Sequence, residues 1–302
     1  MSHQKQNHKK TVALIAPTGM LGSAVYNELR DKYQLILIYR DEDKLKLLDQ
    51  AFGKTQEHRQ VKFDLFDLYQ DYLSGFKDTV YGPKTQELKK LLEPADFVIN
   101  CAGIIKPYST VDPIETFFIN GAIPHILSSF KKEKLIQITT DCAFDGLEGA
   151  PYNENSPKTP VDLYGLSKVI GEPSSSLVLR TSIIGSELHG FVSLLEWLKK
   201  QNNETVKGFK NHFWNGITAK QFGKVCHQLI TNPQLIPGAG TYHIFSTTVS
   251  KYEMLLKFKE KYNINCEILT NEEQKLNRTL STVKDLNKKL NIPSFDEMLA
   301  EL

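Results

Sequence analysis

The sequence predicts an α/β fold: a doubly wound parallel sheet followed by a smaller α+β domain. Short apolar, β-branched runs alternate with longer amphipathic stretches from Thr11 to Arg180, which is the pattern of parallel strands joined by crossover helices. Runs such as LILIY and LIQIT are apolar at successive positions, as expected of strands buried on both faces. The predicted strands span residues 12–16, 35–39, 60–64, 97–101, 134–139 and 177–181.

The domain boundary follows from the point where this regularity ends. The chain has 302 residues, of which 40% are apolar and 24% charged, enough for one large or two unequal domains. We expect a Rossmann-type domain over residues 11–180 and a mainly substrate-binding domain over residues 181–302, with the chain crossing back into the first domain. Predicted helices span residues 22–32, 114–131 (with an irregularity at Pro124), 191–200, 218–229 and 250–262.

The bulk composition argues against several classes of function. Lys and Arg total 37 against 35 for Asp and Glu, so a net charge of +2 gives no reason to expect a nucleic-acid partner. The basic first ten residues lack the apolar stretch of a signal peptide, and no apolar run is long enough to span a bilayer. We therefore expect a cytoplasmic protein without a membrane partner. The four cysteines lack metal-site or redox spacing, so free thiols and no metal are expected.

A glycine-containing turn directly follows the first predicted strand and opens a helix. Its residues Thr18, Gly19, Met20, Leu21 and Gly22 are expected to cradle a pyrophosphate, because backbone amides and the helix dipole attract anions there. The spacing is that of GxxGxxG with alanine at the first position, and a side chain at that position is expected to crowd the tight turn. Dinucleotide binding is the favoured interpretation; the alternative is an ordinary loop.

Two residues at strand ends bear on which dinucleotide is bound. Arg40 ends the second strand, where an NAD-selective site would carry an acidic residue on the ribose hydroxyls. A guanidinium suits a 2'-phosphate, so NADP(H) is predicted; the alternative is a solvated surface charge. Asp64 ends the third strand and could accept from the adenine amino group while Leu65 covers the ring, or Asp64 could simply cap a turn.

The segment Tyr164-Gly165-Leu166-Ser167-Lys168 predicts a proton donor. Residues four apart lie on one helical face, so the ammonium of Lys168 is expected to lower the pKa of the Tyr164 phenol toward neutrality. Thr139 and Thr140 end the fifth strand, and the Thr140 hydroxyl is expected to hydrogen-bond a substrate carbonyl in the crevice. Thr140, Tyr164 and Lys168 therefore form a candidate catalytic set; alternatively, the threonines merely complete a strand.

With these motifs in order, the sequence resembles the extended short-chain dehydrogenase/reductase family, and within it the dTDP-4-dehydrorhamnose reductase branch. The resemblance covers roughly residues 11–260, with Ala16 in place of the first glycine and CAF in place of the usual aromatic-containing triplet. The matching segments are PTGMLGS, INCAG, ITTDCAFDG, PYNE, YGLSK with the following Gly171 and Glu172, and LVLRTSIIG.

The resemblance implies hydride transfer from NADPH to C4 of a nucleotide-linked 4-keto-6-deoxy sugar. It makes Tyr164 the proton donor, Thr140 the residue that orients the carbonyl, and Lys168 the residue that holds the nicotinamide ribose. It also assigns the strand end Cys101, Ala102 and Gly103 to the cofactor. A dTDP- or UDP-linked substrate in deoxysugar or surface-polysaccharide synthesis is expected, and a homodimer is a candidate assembly by analogy alone.

The residues after Thr140 separate related activities. Nucleotide-sugar dehydratases carry an Asp-Glu pair there, whereas this chain has Asp141 and Cys142, which disfavours dehydration. The cysteine resembles that of GDP-fucose synthase, so an epimerase/reductase that uses Cys142 beside the sugar stays open, with His189 as a candidate partner acid. Asp141 and Cys142 are both expected at the substrate.

Four further residues are candidate substrate contacts by position. HFWNGIT resembles the region that closes over the nucleotide, and Trp214 could stack on a base or belong to a core. Arg278 is a candidate for the diphosphate. Lys106 and Tyr108 follow the fourth strand, where a substrate would enter the crevice.

Two other functions compete with an active reductase. A non-catalytic NADP-binding subunit shares this fold in relatives of the family, but the intact Thr140, Tyr164 and Lys168 set argues against it. A nucleotide-sugar epimerase with tightly held NAD would favour an acidic residue where Arg40 stands.

Overall fold

A computed structural model describes residues 9–74 and 81–302; the first eight residues of the basic amino-terminal segment lie outside the described residues. The strands are β1 (Thr11–Ile15), β2 (Gln34–Tyr39), β3 (Arg59–Lys62), β4 (Phe97–Asn100), β5 (Leu135–Thr140), β6 (Leu177–Thr181), β7 (Ile183–Ile184), β8 (Thr205–Phe209), β9 (His212–Trp214), β10 (Ile217–Thr218), β11 (Gly240–His243), β12 (Val249–Ser250), β13 (Glu267–Asn271) and β14 (Leu276–Asn277). The α-helices are α1 (Met20–Leu29), α2 (Glu42–Phe52), α3 (Leu68–Leu73), α4 (Pro83–Leu92), α5 (Pro113–Phe117), α6 (Ile123–Lys131), α7 (Leu163–Ile170), α8 (Leu194–Lys199), α9 (Ala219–Thr231), α10 (Lys251–Tyr262), α11 (Leu286–Leu290) and α12 (Phe295–Ala300).

Seven parallel strands form the main sheet in the order β11-β6-β5-β4-β1-β2-β3. The order reverses between β1 and β4, where Ile15 pairs with Ile38 on one side and Asn100 on the other. Ligands of doubly wound sheets bind outside the carboxyl ends of the strands at such a reversal. The predicted doubly wound α/β fold is confirmed, and each of the six predicted strands is present within two residues of its expected ends.

Helices cover both faces of this sheet because both strand faces are apolar. Leu14 and Ile99 point into a cluster completed by α1 and α9, and Ala13 and Val98 point into a second cluster completed by α4 and α6. This alternation within single strands is the arrangement that doubly buried parallel strands require. The sheet is therefore a rigid platform for whatever lies at the carboxyl ends of its strands.

The helix predicted over residues 114–131 is interrupted. α5 ends at Phe117, a π-helical turn spans Phe118–Ala122, and α6 begins at Ile123. Pro124 explains the break, since its ring excludes a regular hydrogen bond to the carbonyl of Asn120. The expected irregularity at Pro124 is thus a change of helix type just before it.

Residues beyond β6 form smaller sheets and a separate apolar cluster. β9 pairs with β12 and β14, β8 pairs with β13, and β7 pairs with β10. Trp214, Phe258 and Phe295 lie in the cluster that these elements enclose. β11 instead joins the edge of the main sheet, beside β6. No helix of the described residues is long and apolar enough to cross a membrane.

Candidate active site

The turn between β1 and α1 has the geometry of a phosphate cradle. Ala16 takes φ +57°, a left-handed conformation that favours glycine, so the alanine that departs from the glycine pattern is held in a strained backbone. A Cβ on Gly22 would lie 2.0 Å from the carbonyl oxygen of Ala16, so only glycine fits there. Gly19 precedes the helix without a side-chain cap, and no acidic residue occupies its first turn. The first amides of α1 are therefore available to an anion.

The end of β2 carries a charged cluster beside this turn. Arg40 is 60% exposed; its Nη1 lies 3.2 Å from Oε1 of Glu115 and 3.9 Å from Oδ2 of Asp64. Asp64 also accepts the amide N–H of Phe66 at 3.0 Å, so the turn-capping role considered for it is present. Leu65 packs into the apolar cluster beneath the sheet. The adenine contacts expected of Asp64 and Leu65 stay predictions.

The loop after β4 runs close to the helix that carries Lys168. Asn100 at the end of β4 accepts the amide N–H of Ala102 at 3.1 Å. A methyl group on Gly103 would lie 3.6 Å from Nζ of Lys168. Burial raises the pKa of the Cys101 thiol to about 12, and the Lys168 ammonium partly opposes that rise. Cys101 and Gly103 therefore lie near the ammonium, at the crevice where the sheet reverses its order, with Ala102 between them in the chain.

Asn120 is a site residue that the sequence analysis missed. It lies in the π-helical turn, where its side chain donates to the carbonyl of Ile104 at 2.9 Å and accepts the Ile104 amide N–H at 2.8 Å. It also donates to the Ser167 hydroxyl at 3.0 Å. Asn120 thus ties the loop after β4 to α7. The feature of the sequence that could have indicated Asn120 is Pro124, four residues later, which interrupts the regular helix.

The structure brings together Thr140, Tyr164 and Lys168. Asp162 caps α7 by accepting the Gly165 amide N–H at 2.8 Å, so the helix begins immediately before Tyr164. The Thr140 hydroxyl accepts the Cys142 amide N–H at 3.1 Å and donates to Oδ1 of Asp141 at 3.2 Å, and it lies close enough to the Tyr164 phenol to lower the pKa of that phenol. One helical turn farther on, Lys168 lies nearly buried beneath the loop that contains Gly103. Thr140 ends β5, and the helix that carries Tyr164 and Lys168 packs against that strand.

The expected electrostatic coupling between Lys168 and Tyr164 needs correction. The pKa of Tyr164 is raised, first by burial and then by Cys142, against a smaller lowering by the nearby Thr140 hydroxyl. Burial also lowers the pKa of Lys168 to about 8, opposed by Glu172 and Cys101. The prediction of a Tyr164 pKa near neutrality was wrong for the free protein, because it considered helical spacing and left out desolvation.

Arg278 reaches the candidate site from the far end of the chain. Its Nη1 lies 3.6 Å from the sulfur of Cys142, and its Nε donates to the Phe144 carbonyl at 2.8 Å. Burial and the Asp141 carboxylate raise the pKa of Cys142 to about 11, while Arg278 opposes that rise. Burial also raises the pKa of Asp141 itself. Cys142 is therefore a neutral thiol beside a guanidinium.

Lys251 is a second residue that the sequence analysis missed. Burial lowers the pKa of its ammonium, and the nearby Asp141 carboxylate is the first of the groups that oppose that shift. Lys251 is the first residue of α10, directly after the capping Ser250. A lysine at the first position of a helix faces the positive end of the helix dipole, which is unfavourable. This unusual position is the feature of the sequence that could have indicated Lys251.

Lys106 and Tyr108 lie on the rim of the candidate site. Lys106 pairs with Asp162 at 2.7 Å, next to the start of α7, and its charge also lowers the pKa of Cys142. Tyr108 is exposed on the same short turn.

Two candidate residues are placed differently from their expected roles. Trp214 is 4% exposed and packs edge-on against Phe295 in an apolar cluster, so the core interpretation replaces base stacking. His189 contacts the carbonyl of Thr18 through Nε2 at 2.9 Å, which directs it to the phosphate turn rather than to Cys142. The proposed Cys142–His189 acid–base pair therefore has no geometric support.

A family model described as the RmlD substrate binding domain matches residues 70–281. A dTDP-4-dehydrorhamnose reductase of Burkholderia thailandensis is 32% identical over 99 residues, 30% of this chain and 32% of that protein. The spore coat polysaccharide biosynthesis protein SpsK of Bacillus subtilis is 25% identical over 193 residues, 58% of this chain and 64% of that protein. The chain thus matches less than two thirds of the length of either relative.

The solved structures extend the likeness over nearly the whole chain. The dTDP-4-dehydrorhamnose reductase of Bacillus anthracis in complex with NADP has a TM-score of 0.69 and 20% sequence identity. The match covers 97% of this chain and 98% of that one. At this identity the likeness concerns the fold.

Proposed function

The chain belongs to the RmlD substrate-binding-domain family, a branch of the extended short-chain dehydrogenases/reductases, and from this we propose that it is an NADPH-dependent reductase of a nucleotide-linked keto sugar. The finer proposal is a dTDP- or UDP-linked 4-keto-6-deoxy sugar used in deoxysugar or polysaccharide synthesis. The names of its relatives, a dTDP-4-dehydrorhamnose reductase and a polysaccharide biosynthesis protein, support that substrate class.

The residues at the carboxyl ends of the strands fit a dinucleotide. The amides that follow Gly19 would hold the pyrophosphate, since Gly22 leaves no side chain in the turn and the helix start has no acidic residue. Arg40 would hold a 2'-phosphate, and the loop from Cys101 to Gly103 would lie along the nicotinamide ribose beside Lys168. NADPH, when bound, supplies the hydride.

Tyr164 is the proposed proton donor. A ketone reduced to an alcohol takes a hydride at carbon and a proton at oxygen, and the Tyr164 phenol is the proposed donor of that proton. Its raised pKa keeps the phenol protonated at neutral pH, so the donor is ready before each turnover. The Thr140 hydroxyl lies next to the Tyr164 phenol and is suited to orient the carbonyl oxygen.

Lys168 supports this chemistry as a buried cation. Its ammonium lies close to Gly103, on the side of α7 that faces the loop after β4. In that position it can donate hydrogen bonds to ribose hydroxyls, and its charge favours the phenolate that remains after the proton leaves Tyr164. Lys168 thus contributes both to binding and to the pKa of Tyr164 during the reaction.

Cationic side chains suit the nucleotide end of the substrate. Arg278 and Lys251 both interact electrostatically with Asp141 and Cys142, and Lys106 lies at the rim of the site. A sugar nucleotide carries two phosphate charges next to the sugar, and such charges would be stabilised by Arg278 and Lys251. The absence of a glutamate after Asp141 supports reduction over dehydration.

The observation that carries the proposal is the position of the Tyr164 phenol next to the Thr140 hydroxyl, on the helix whose next turn carries the buried Lys168. The test offers the purified protein NADPH together with dTDP- and UDP-linked 4-keto-6-deoxy sugars and follows the near-ultraviolet absorbance of NADPH. Oxidation that depends on one of these sugars supports the reductase and identifies its nucleotide. Tight NADPH binding without oxidation by any of them would contradict the proposal and favour a non-catalytic subunit.

A further inference from the structure

Arg40 is held by carboxylates that come from two different elements. Glu115 of α5 lies at 3.2 Å from its guanidinium, within hydrogen-bonding distance, and Asp64 at the end of β3 lies at 3.9 Å. Each edge of the planar guanidinium group binds one carboxylate or one phosphate at a time. Any phosphate that uses Arg40 must therefore displace one of these carboxylates or lie next to it.

The two carboxylates differ in how firmly they are held by other contacts. Asp64 accepts the Phe66 amide N–H and caps the turn Leu65–Asp67, so its position is fixed by the backbone. Within residues 9–74 and 81–302, the Glu115 carboxylate has Arg40 as its hydrogen-bonding and ion-pair partner, and no other. Among the described residues, the Glu115 carboxylate therefore binds Arg40 and no other side chain.

We propose that Glu115 is a specificity-determining residue that competes with the cofactor's 2'-phosphate for Arg40 and so limits the preference for NADPH over NADH. This inference depends on the proposed NADPH site. The Glu115 carboxylate neutralises Arg40 in the free protein, and it stands as a like charge beside a bound 2'-phosphate. NADH lacks that phosphate, so its binding gains nothing when Glu115 is removed.

The test compares two cofactor fragments that differ by the 2'-phosphate alone, 2',5'-ADP and 5'-AMP. Their dissociation constants are measured by calorimetry for the wild type and for Glu115→Gln, which keeps the shape of the side chain and removes its charge. We expect the dissociation constant of 2',5'-ADP to fall about three- to fivefold, the upper part of the range for an exposed ion pair. That of 5'-AMP should stay within about twofold.

Two matched variants separate competition from a general charge effect. Glu42→Gln removes an equal charge near Arg40 in the sequence, but Glu42 pairs with Lys62, so its effect on 2',5'-ADP should be smaller. In an Arg40→Gln background, Glu115→Gln should change the affinity for 2',5'-ADP less than in the wild type, because the competition for Arg40 is absent and only the like-charge repulsion is left. Thermal unfolding of each variant checks that the fold is kept.

The outcomes are distinct. A tighter complex with 2',5'-ADP that depends on Arg40 supports the inference. An unchanged ratio of the two affinities, or weaker binding of 2',5'-ADP in Glu115→Gln, overturns it; the second result would make Glu115 a residue that positions Arg40 for the phosphate. If the wild type binds neither fragment, the cofactor proposal fails first, and this inference fails with it.

Discussion

Arg180 and Glu172 form a buried ion pair with three nitrogen–oxygen contacts behind the candidate site. Nη2 of Arg180 lies 2.6 Å from Oε2 of Glu172, its Nε lies 3.2 Å from Oε1, and the two side chains are 1% and 2% exposed. Arg180 also donates to Nε2 of His243 at 2.9 Å, and Nδ1 of His243 donates to the Ser281 carbonyl at 2.8 Å. The pair therefore connects the helix of Lys168 with the segment that carries Arg278.

Breaking this pair should destabilise the protein strongly. Arg180→Leu leaves the buried Glu172 carboxylate with Lys158 as its remaining ionic partner, and we expect a loss of about 3–5 kcal/mol in the free energy of unfolding. Urea denaturation followed by tryptophan fluorescence measures it. Lys84→Ala, which breaks the exposed pair with Glu87, is the control and should cost less than about 1 kcal/mol. Equal costs for the two variants would contradict the assigned role of the buried pair.

Lys168 should make stability depend on pH in a defined window. Its pKa is 10.5 in an unfolded chain and about 8 in the fold, so between these values the unfolded state binds more protons and stability rises with pH. Lys168→Met removes a buried charge and should be more stable than the wild type at pH 7, by on the order of 2 kcal/mol.

That advantage should shrink as the pH rises from about 8 to about 10.5, because the folded wild type then loses the buried charge while the unfolded lysine keeps its proton. Urea titrations at successive pH values test it. Lys62→Met, at an exposed position, should show no comparable change. A constant difference between wild type and Lys168→Met across this window would show that the lysine is not desolvated.

Tyr164→Phe should remove the proton donor while the cofactor site is retained. We expect turnover to fall at least about a hundredfold, the contribution of a general acid, with the affinity for NADPH nearly unchanged. Steady-state kinetics and fluorescence titration with NADPH give the two quantities. A variant with full activity would exclude Tyr164 from the mechanism.

Gly22→Ala should damage the phosphate turn, whereas Gly19→Ala should leave the free protein folded. The added Cβ would lie 2.0 Å from the Ala16 carbonyl oxygen in the first case and 4.0 Å from the same atom in the second. We expect Gly22→Ala to lose about 1–3 kcal/mol or more of unfolding free energy, as overpacked positions do. Thermal denaturation without cofactor provides the comparison. Equal stability of the two variants would contradict the close approach.

The fold could be predicted from the sequence because parallel strands buried on both faces have apolar residues at successive positions. The candidate site followed in part, since Thr140 and the loop after β4 end neighbouring strands and must meet at one edge of the sheet. Lys251 could not be predicted in this way, because tertiary packing alone brings α10 to Asp141 and Cys142. The pKa of Tyr164 and the burial of Trp214 also depend on packing, which helical spacing and local motifs do not encode.

Isotope transfer tests the central claim most directly. The protein is incubated with a dTDP- or UDP-linked 4-keto-6-deoxy sugar and NADPH carrying deuterium at the transferable position of the nicotinamide, and the sugar is analysed by mass spectrometry and NMR. The account predicts deuterium at C4 of the product and, in a parallel reaction in D₂O with ordinary NADPH, no solvent deuterium at the neighbouring carbons. A sugar without deuterium from NADPH, in a protein that binds NADPH, would contradict the proposed reduction.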